Sequence, residues 1–239
     1  MTKRDLLGTK LDIYSEYGKA FNLDTILLSD FTRIPKGTKL IMDFGTGNAA
    51  VMLYLSQKYE GELLGVEIQE SRYQKAIYNI NMNQLDARVH VVLEDLNVFK
   101  HHKLADIIVS NPPFFKVNDK TKQSDDLDMQ IAKHELYLNL ESLILAVRRN
   151  IKHGGLFFMI HKADRLEDIM KHLNENDFTI KRMRFVHPSL SHEPNQVLIE
   201  ARYKGSYHLT VMPPLIQYKE LNQYSDEMLS IYQGRSYKK

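Results

Sequence analysis

The chain contains no cysteine, which excludes a disulfide scaffold, a thiolate nucleophile and any cysteine-based zinc or iron–sulfur site, and fits a reducing compartment. It also lacks any window near the roughly 20 consecutive apolar residues that a membrane span requires. The charges of Met1–Asp5 have no apolar stretch behind them, so the chain reads as soluble, untargeted and cytoplasmic. A charge excess is missing as well. With a formal net charge of +2 over 239 residues, the protein is no basic arm, and any contact with a polyanion must come from local clusters of Lys and Arg. Internal repeats and low-complexity segments are absent. His101-His102 reads as a solvated loop pair, and no residues have zinc-ligand spacing, so no metal is expected. What remains is a length suited to one sizeable core, and a monomer is the simplest expectation.

Residues before about 38 are polar and mixed, and a regular alternation then begins. Lys39 to Phe44 is a short apolar run ending in a glycine turn, followed by apolar positions at helical spacing over Asn48 to Tyr59. Strands over Leu63–Ile68, Val89–Leu93 and Ala105–Ser110 alternate with a helix over Gln69–Gln84. Leu127–Lys152 reads as a long helix closed by Gly154-Gly155, which opens a strand at Leu156–Ile160. A helix over Arg165–Asn176 precedes two β-rich stretches, Phe178–Val186 and Gln196–Tyr203, with no helical pattern between them. This rhythm predicts an α/β fold with a mostly parallel seven-stranded sheet, helices on both faces and an antiparallel C-terminal hairpin. The segment after Gly205 is Tyr-rich and irregular.

In an open parallel sheet, ligands bind at the carboxyl ends of the strands, and the informative residues fall there. Gly45 and Gly47 in Asp43-Phe44-Gly45-Thr46-Gly47-Asn48-Ala49 allow a sharp turn and bring backbone N–H groups close to a ligand at a helix N-terminus. Ala49 stands where a third glycine is often found. Gly45-x-Gly47-x-x-Ala50 also satisfies a dinucleotide fingerprint, so the turn alone leaves the cofactor open. Glu67, about 20 residues further on, can accept both hydroxyls of a ribose in either cofactor class. Asp95, past the third strand, can accept from an adenine amino group. Asp43 separates the two cofactors. A carboxylate there suits the cationic methionine half of S-adenosylmethionine and would repel a pyrophosphate.

Asn111-Pro112-Pro113-Phe114 follows the fourth strand of the alternation directly. A heterocyclic amine is a poor nucleophile because its lone pair is delocalised into the ring. The Asn111 side-chain oxygen and the Pro112 carbonyl can accept its two N–H bonds and turn the lone pair toward an incoming methyl group. Pro112 and Pro113 fix the backbone, and Phe114 offers a face for a base to stack on.

Together, Asp43 to Gly47, Glu67, Asp95 and Asn111 to Phe114 resemble the class I Rossmann-like amino methyltransferases, a three-layer sandwich fold. Within these, the chain is similar over nearly its whole length to the bacterial tRNA1(Val) (adenine-N6)-methyltransferases, which act on position 37 beside the valine anticodon. Phe21 to Leu28 resembles an upstream segment of that family, which implies that Asp24 lies near the methionine end of the cofactor. Ala132-Lys133-His134-Glu135, Asp164-Arg165-Leu166 and Arg184 to Pro188 carry further likeness, the last two to the Gram-positive branch. Ala49 for the third glycine and Phe114 for the more usual tyrosine are departures, and neither should abolish activity. The resemblance implies S-adenosylmethionine as cofactor and tRNA as partner. It also suggests a division into an N-terminal segment, 1–37, closing the cofactor site, a catalytic domain, 38–205, and an extension, 206–239.

The remaining question is where RNA would bind. Lys162 and Arg165 follow one strand, and Lys181, Arg182 and Arg184 lie on another, where the period of two puts both arginines on one face opposite Met183 and Phe185. These five cations are the expected RNA contacts, against the alternative of a solvated edge strand whose charges discourage aggregation. The same chemistry on a protein glutamine or a DNA adenine stays open, as does a non-catalytic RNA-binding protein on this fold.

Overall fold

The computed structural model describes residues 2–15, 23–112, 139–220 and 223–235. An N-terminal hairpin, β1 (Thr2–Asp5) and β2 (Asp12–Ser15), precedes helix α1 (Leu23–Phe31). The alternation then runs β3 (Leu40–Phe44), α2 (Ala50–Leu55), β4 (Glu62–Glu67), α3 (Glu70–Met82), β5 (Val89–Leu93) and β6 (Ala105–Ser110). Next come α4 (Leu140–Asn150), β7 (Ile151–Lys162), a 3-10 turn (Ala163–Arg165), α5 (Leu166–Glu175), β8 (Phe178–His187) and β9 (Gln196–Tyr203). The C-terminal segment adds β10 (Thr210–Val211), β11 (Leu215–Ile216), a small hairpin of β12 (Tyr218–Glu220) with β13 (Gln223–Tyr224), and α6 (Asp226–Tyr232). Among the described residues, no helix is long and apolar enough to cross a membrane.

The main sheet has the order β5-β4-β3-β6-β7-β9-β8. Strands β5, β4, β3, β6 and β7 are mutually parallel, whereas β9 runs antiparallel to both β7 and β8. From β3 the chain moves outward through β4 and β5, then returns to the other side of β3 with β6. The carboxyl ends of β3 and β6 therefore flank the point where strand order reverses, which is where an open α/β sheet holds its ligand. The sheet separates two apolar layers. One joins Leu6, Ile13 and α1 to α2, Ala76 and Ile80 of α3, and Met228 and Ile231 of α6. The other packs Leu143, Ile144 and Val147 of α4 and Ile169 and Leu173 of α5 against the opposite face. The result is the expected three-layer α/β architecture.

Two expectations need correcting. Among the described residues the sheet, expected to have seven strands, has nine, because β10 and β11 pair in parallel with β8 along its outer side, so the segment after Gly205 contributes strands and β8 is not a bare edge. The helix ending at Asn150 does not use the glycine pair as its cap. Asn150 Nδ2 instead donates to Ala146 O (2.9 Å) and Phe99 O (3.1 Å). Gly154 and Gly155 lie within β7, where pairing with β6 slips from Ala105↔Ile151 to Ile107↔Leu156. A Cβ on Gly155 would come within 2.6 Å of Ile151 Cγ1, so glycine is needed for close approach. Among the described residues before 38, this polar, mixed sequence forms the N-terminal hairpin and α1. The start of the long helix expected from Leu127 lies outside the described residues.

Candidate active site

At the end of β3 the backbone N–H groups of Gly45 and Thr46 both donate to Val66 O of β4, at 2.9 and 3.1 Å. Gly45 and Gly47 have φ of +74° and +62°, and a Cβ on either would meet nothing within 4 Å. Glycine is thus needed for the backbone conformation, and the space before these two residues is open. Ala49 has the left-handed conformation (φ 70°) at the start of α2, where an alanine costs about 1 kcal/mol. A residue absent from the sequence-based set supports the turn from behind. A Cβ on Gly65 of β4 would lie 2.7 Å from Thr46 Cγ2 and 2.6 Å from Met52 Cε. A lone glycine inside a strand is the signal that could have marked it.

Asp43 is 2% exposed and accepts from Thr46 Oγ1 at 2.7 Å. Burial pushes its carboxyl up to about 7; the Thr46 hydrogen bond opposes the shift and the neighbouring charge of Glu67 adds to it. Glu67 is also buried and fastens the turn, since its Oε2 accepts from Gly47 N (2.8 Å) and its Oε1 from Ile68 N (3.0 Å) and Gln69 N (2.9 Å). A carboxylate offers about four acceptor positions, so three amides leave Glu67 capacity for a ligand donor. Asp95 sits beyond β5 and shapes its own loop, with Oδ1 accepting from Asn97 N (2.8 Å) and Asn97 Nδ2 (2.9 Å).

Strand periodicity brings three of these residues to one face. Ile41, Leu63, Ile107 and Val109 belong to the layer beneath α1 and α2, so the alternation of side chains puts Asp43, Glu67 and Asn111 on that face too. Ser110 Oγ donates to Phe44 O at 2.8 Å and ties the end of β6 to that of β3. Asn111 is partly buried and Pro112 buried; Pro113 and Phe114 lie outside the described residues, as does His134-Glu135. Asp24, in the first turn of α1, is 2% exposed and accepts from Gln196 Nε2 at the start of β9. Its carboxyl is raised above the usual range by burial, against the opposing Gln196 hydrogen bond. On the opposite face His161 is buried, and its pKa is pushed down to about 4 by burial, with Arg165 adding to this. Its Nδ1 faces Lys162 N at 2.9 Å, so the neutral ring carries its proton on Nε2.

The expected basic stripe on β8 is engaged internally. Arg182 Nε donates to Glu200 Oε2 (2.9 Å), its Nη2 donates to Phe31 O (2.6 Å), and its guanidinium lies 4.1 Å from the centre of the Phe31 ring. Glu200 is fully buried and also accepts from Arg33. Arg184 donates to Pro213 O (2.9 Å) and pairs with Glu227 at 2.7 Å. Lys181 reaches Ser206 O (2.8 Å), and Arg165 pairs with Asp168 (2.7 Å). The period of two did put both arginines on one face, but that face is covered by α1 and the C-terminal segment. Lys162 alone of the five has an exposed side chain at the carboxyl end of the sheet.

A family model described as the methyltransferase small domain matches residues 22–181. The chain belongs to this family. Among curated members it is 27% identical over 191 residues to the tRNA1(Val) (adenine(37)-N6)-methyltransferase of Phocaeicola vulgatus, covering 80% of each chain. It is 26% identical to the protein of the same name from Tolumonas auensis, over 87% of this chain and 86% of that one. Among solved structures, a protein described as a predicted O-methyltransferase from Agrobacterium tumefaciens superposes with a TM-score of 0.71 at 17% identity, covering 89% of this chain and 97% of that one. A ribosomal protein L11 methylase from Lactobacillus delbrueckii gives 0.54 at 15% identity over 76% and 78%. At these identities the superpositions establish the fold, and it is a methyltransferase fold.

Proposed function

We propose that this methyltransferase transfers a methyl group from S-adenosylmethionine to the exocyclic N6 of an adenine in tRNA, at position 37 of tRNA(Val), in the cytoplasm. The observation that carries the reading is the row of Glu67, Asp43 and Asn111 on one face at adjacent strand ends, beside the glycine turn. The site fits the cofactor. The space before Gly45 and Gly47 is open, and the two buried carboxylates favour a cationic ligand over a pyrophosphate. Glu67 would hold the ribose, Asp95 the adenine, and Asp43 with Asp24 the methionine half. S-adenosylmethionine, when bound, supplies an electrophilic methyl group on a sulfonium. The protein's task is orientation, with Asn111 and the Pro112 carbonyl accepting the two N–H bonds of the target amine so that its lone pair faces the methyl. Phe114 would stack on the base, and Lys162, exposed beside this row, would contact a phosphate.

The similarity to curated tRNA1(Val) methyltransferases over four-fifths of the chain supports tRNA as substrate. Incubation with labelled donor and tRNA lacking the modification should yield N6-methyladenosine. Asn111→Ala should lower turnover by about a hundredfold or more, while affinity for S-adenosylhomocysteine changes far less. Label appearing in protein glutamine or DNA instead would move the substrate, and near-normal turnover of Asn111→Ala would reduce the strand end to a turn.

A further inference from the structure

We propose that Gln196 is a further cofactor-binding residue, whose side-chain amide holds Asp24 in the site and whose own carbonyl oxygen accepts from the α-ammonium of the methyl donor. The proposal rests on the S-adenosylmethionine reading above.

Three observations carry it. Gln196 opens β9 directly opposite Lys162 at the end of β7, at the carboxyl ends of the parallel strands. Because Leu198 lies in the layer beneath α1, alternation puts Gln196 on the face that bears Asp43, Glu67 and Asn111. It is the last member of that row.

The second observation is what the amide holds. Gln196 Nε2 donates to Asp24 Oδ1 across 172 residues of sequence. The far end of α1 is fixed by cations, with Lys58 Nζ donating to Ser29 O (2.6 Å) and Thr32 O (2.7 Å) and Arg182 Nη2 to Phe31 O. The helix is therefore pinned at its C-terminal end, and Gln196 holds Asp24 at the other.

The third is the oxygen. Gln196 Oε1 is buried and has no hydrogen-bond partner among the described residues, a costly state for an amide carbonyl. Reversing the amide would turn that oxygen onto the Asp24 carboxylate, so the network fixes the orientation. A neutral acceptor and a carboxylate side by side repel a phosphate or carboxylate and suit a donor-rich cation. An ammonium brings three N–H donors and a positive charge, whereas the two N–H bonds of the target amine are already matched by Asn111 and Pro112.

Two ligands separate the ammonium from the rest of the cofactor. S-adenosylhomocysteine carries the amino-acid portion, and 5′-methylthioadenosine is an adenosine thioether without it. In calorimetry Gln196→Met, similar in length but without polar atoms, should bind S-adenosylhomocysteine about tenfold more weakly than the wild type. Its affinity for 5′-methylthioadenosine should stay unchanged, which a merely structural role for Gln196 would not produce. Should that variant fold poorly, Gln196→Asn, which keeps the amide but cannot reach, should show the same selective loss. Equal losses for both ligands, or no loss for S-adenosylhomocysteine, would overturn the proposal. A wild type that binds neither compound would overturn the cofactor reading beneath it instead.

Discussion

Replacing Asp43 by asparagine should stabilise the ligand-free protein at alkaline pH while weakening its hold on the methyl donor. Burial raises this carboxyl from 3.8 to about 7. A folded-state pKa above the unfolded one means that the folded protein binds the proton more tightly. The stability this group contributes is therefore full below 3.8 and is lost as pH rises through about 7. A shift of about three pKa units corresponds to roughly 4 kcal/mol for holding the ionised form, as an upper figure. Local relaxation and water penetration reduce it, so about 2 kcal/mol is expected. Asparagine keeps an acceptor for Thr46 Oγ1, which donates at 2.7 Å, and removes the charge. Urea unfolding of both proteins should show near-equal stability at about pH 4 and the variant ahead by about 2 kcal/mol at about pH 8. Donor affinity, measured by calorimetry at the higher pH, should fall. A variant less stable than wild type at the higher pH, or a gap that does not change with pH, would refute the argument.

Arg182→Met should destabilise by about 2 to 3 kcal/mol, because the fully buried Glu200 loses one of two guanidinium partners but keeps Arg33. Thermal melting should fall by roughly 5 to 10 °C, little affected by salt; an unchanged melting temperature would mean that this arginine is available to RNA after all. Lys162→Glu should leave unfolding within about 0.5 kcal/mol of wild type. Its tRNA binding, measured across a salt series, should weaken with a counterion slope smaller by about one, and an unchanged slope would place the RNA face elsewhere.

The parts of this molecule that were legible in its sequence are those whose chemistry is local. A strand, two glycines with positive φ and a helix all lie within residues 40–55. Alternation alone then puts Asp43, Glu67 and Asn111 on a common face. Helix α1 escaped because it has no apolar stripe to read; Asp24, Thr25 and Ser29 are buried along with Ile26, Leu27, Leu28 and Phe31. The glycine pair at 154–155 was misread because a glycine that ends a helix and one that permits a β-bulge look the same until the neighbouring strand's register is known. The internal partners of the basic stripe on β8 were hidden for a related reason. The period of a strand says which side chains share a face and says nothing of what covers it. The antiparallel register pairs Arg182 with Glu200 directly, and Glu200 looks like any exposed strand acid until α1 is laid over it. A cation on a strand becomes a candidate for phosphate only once no buried carboxylate stands in register with it, a condition that Arg182 fails. Lys162 lies opposite the neutral Gln196, so it meets the condition that Arg182 fails.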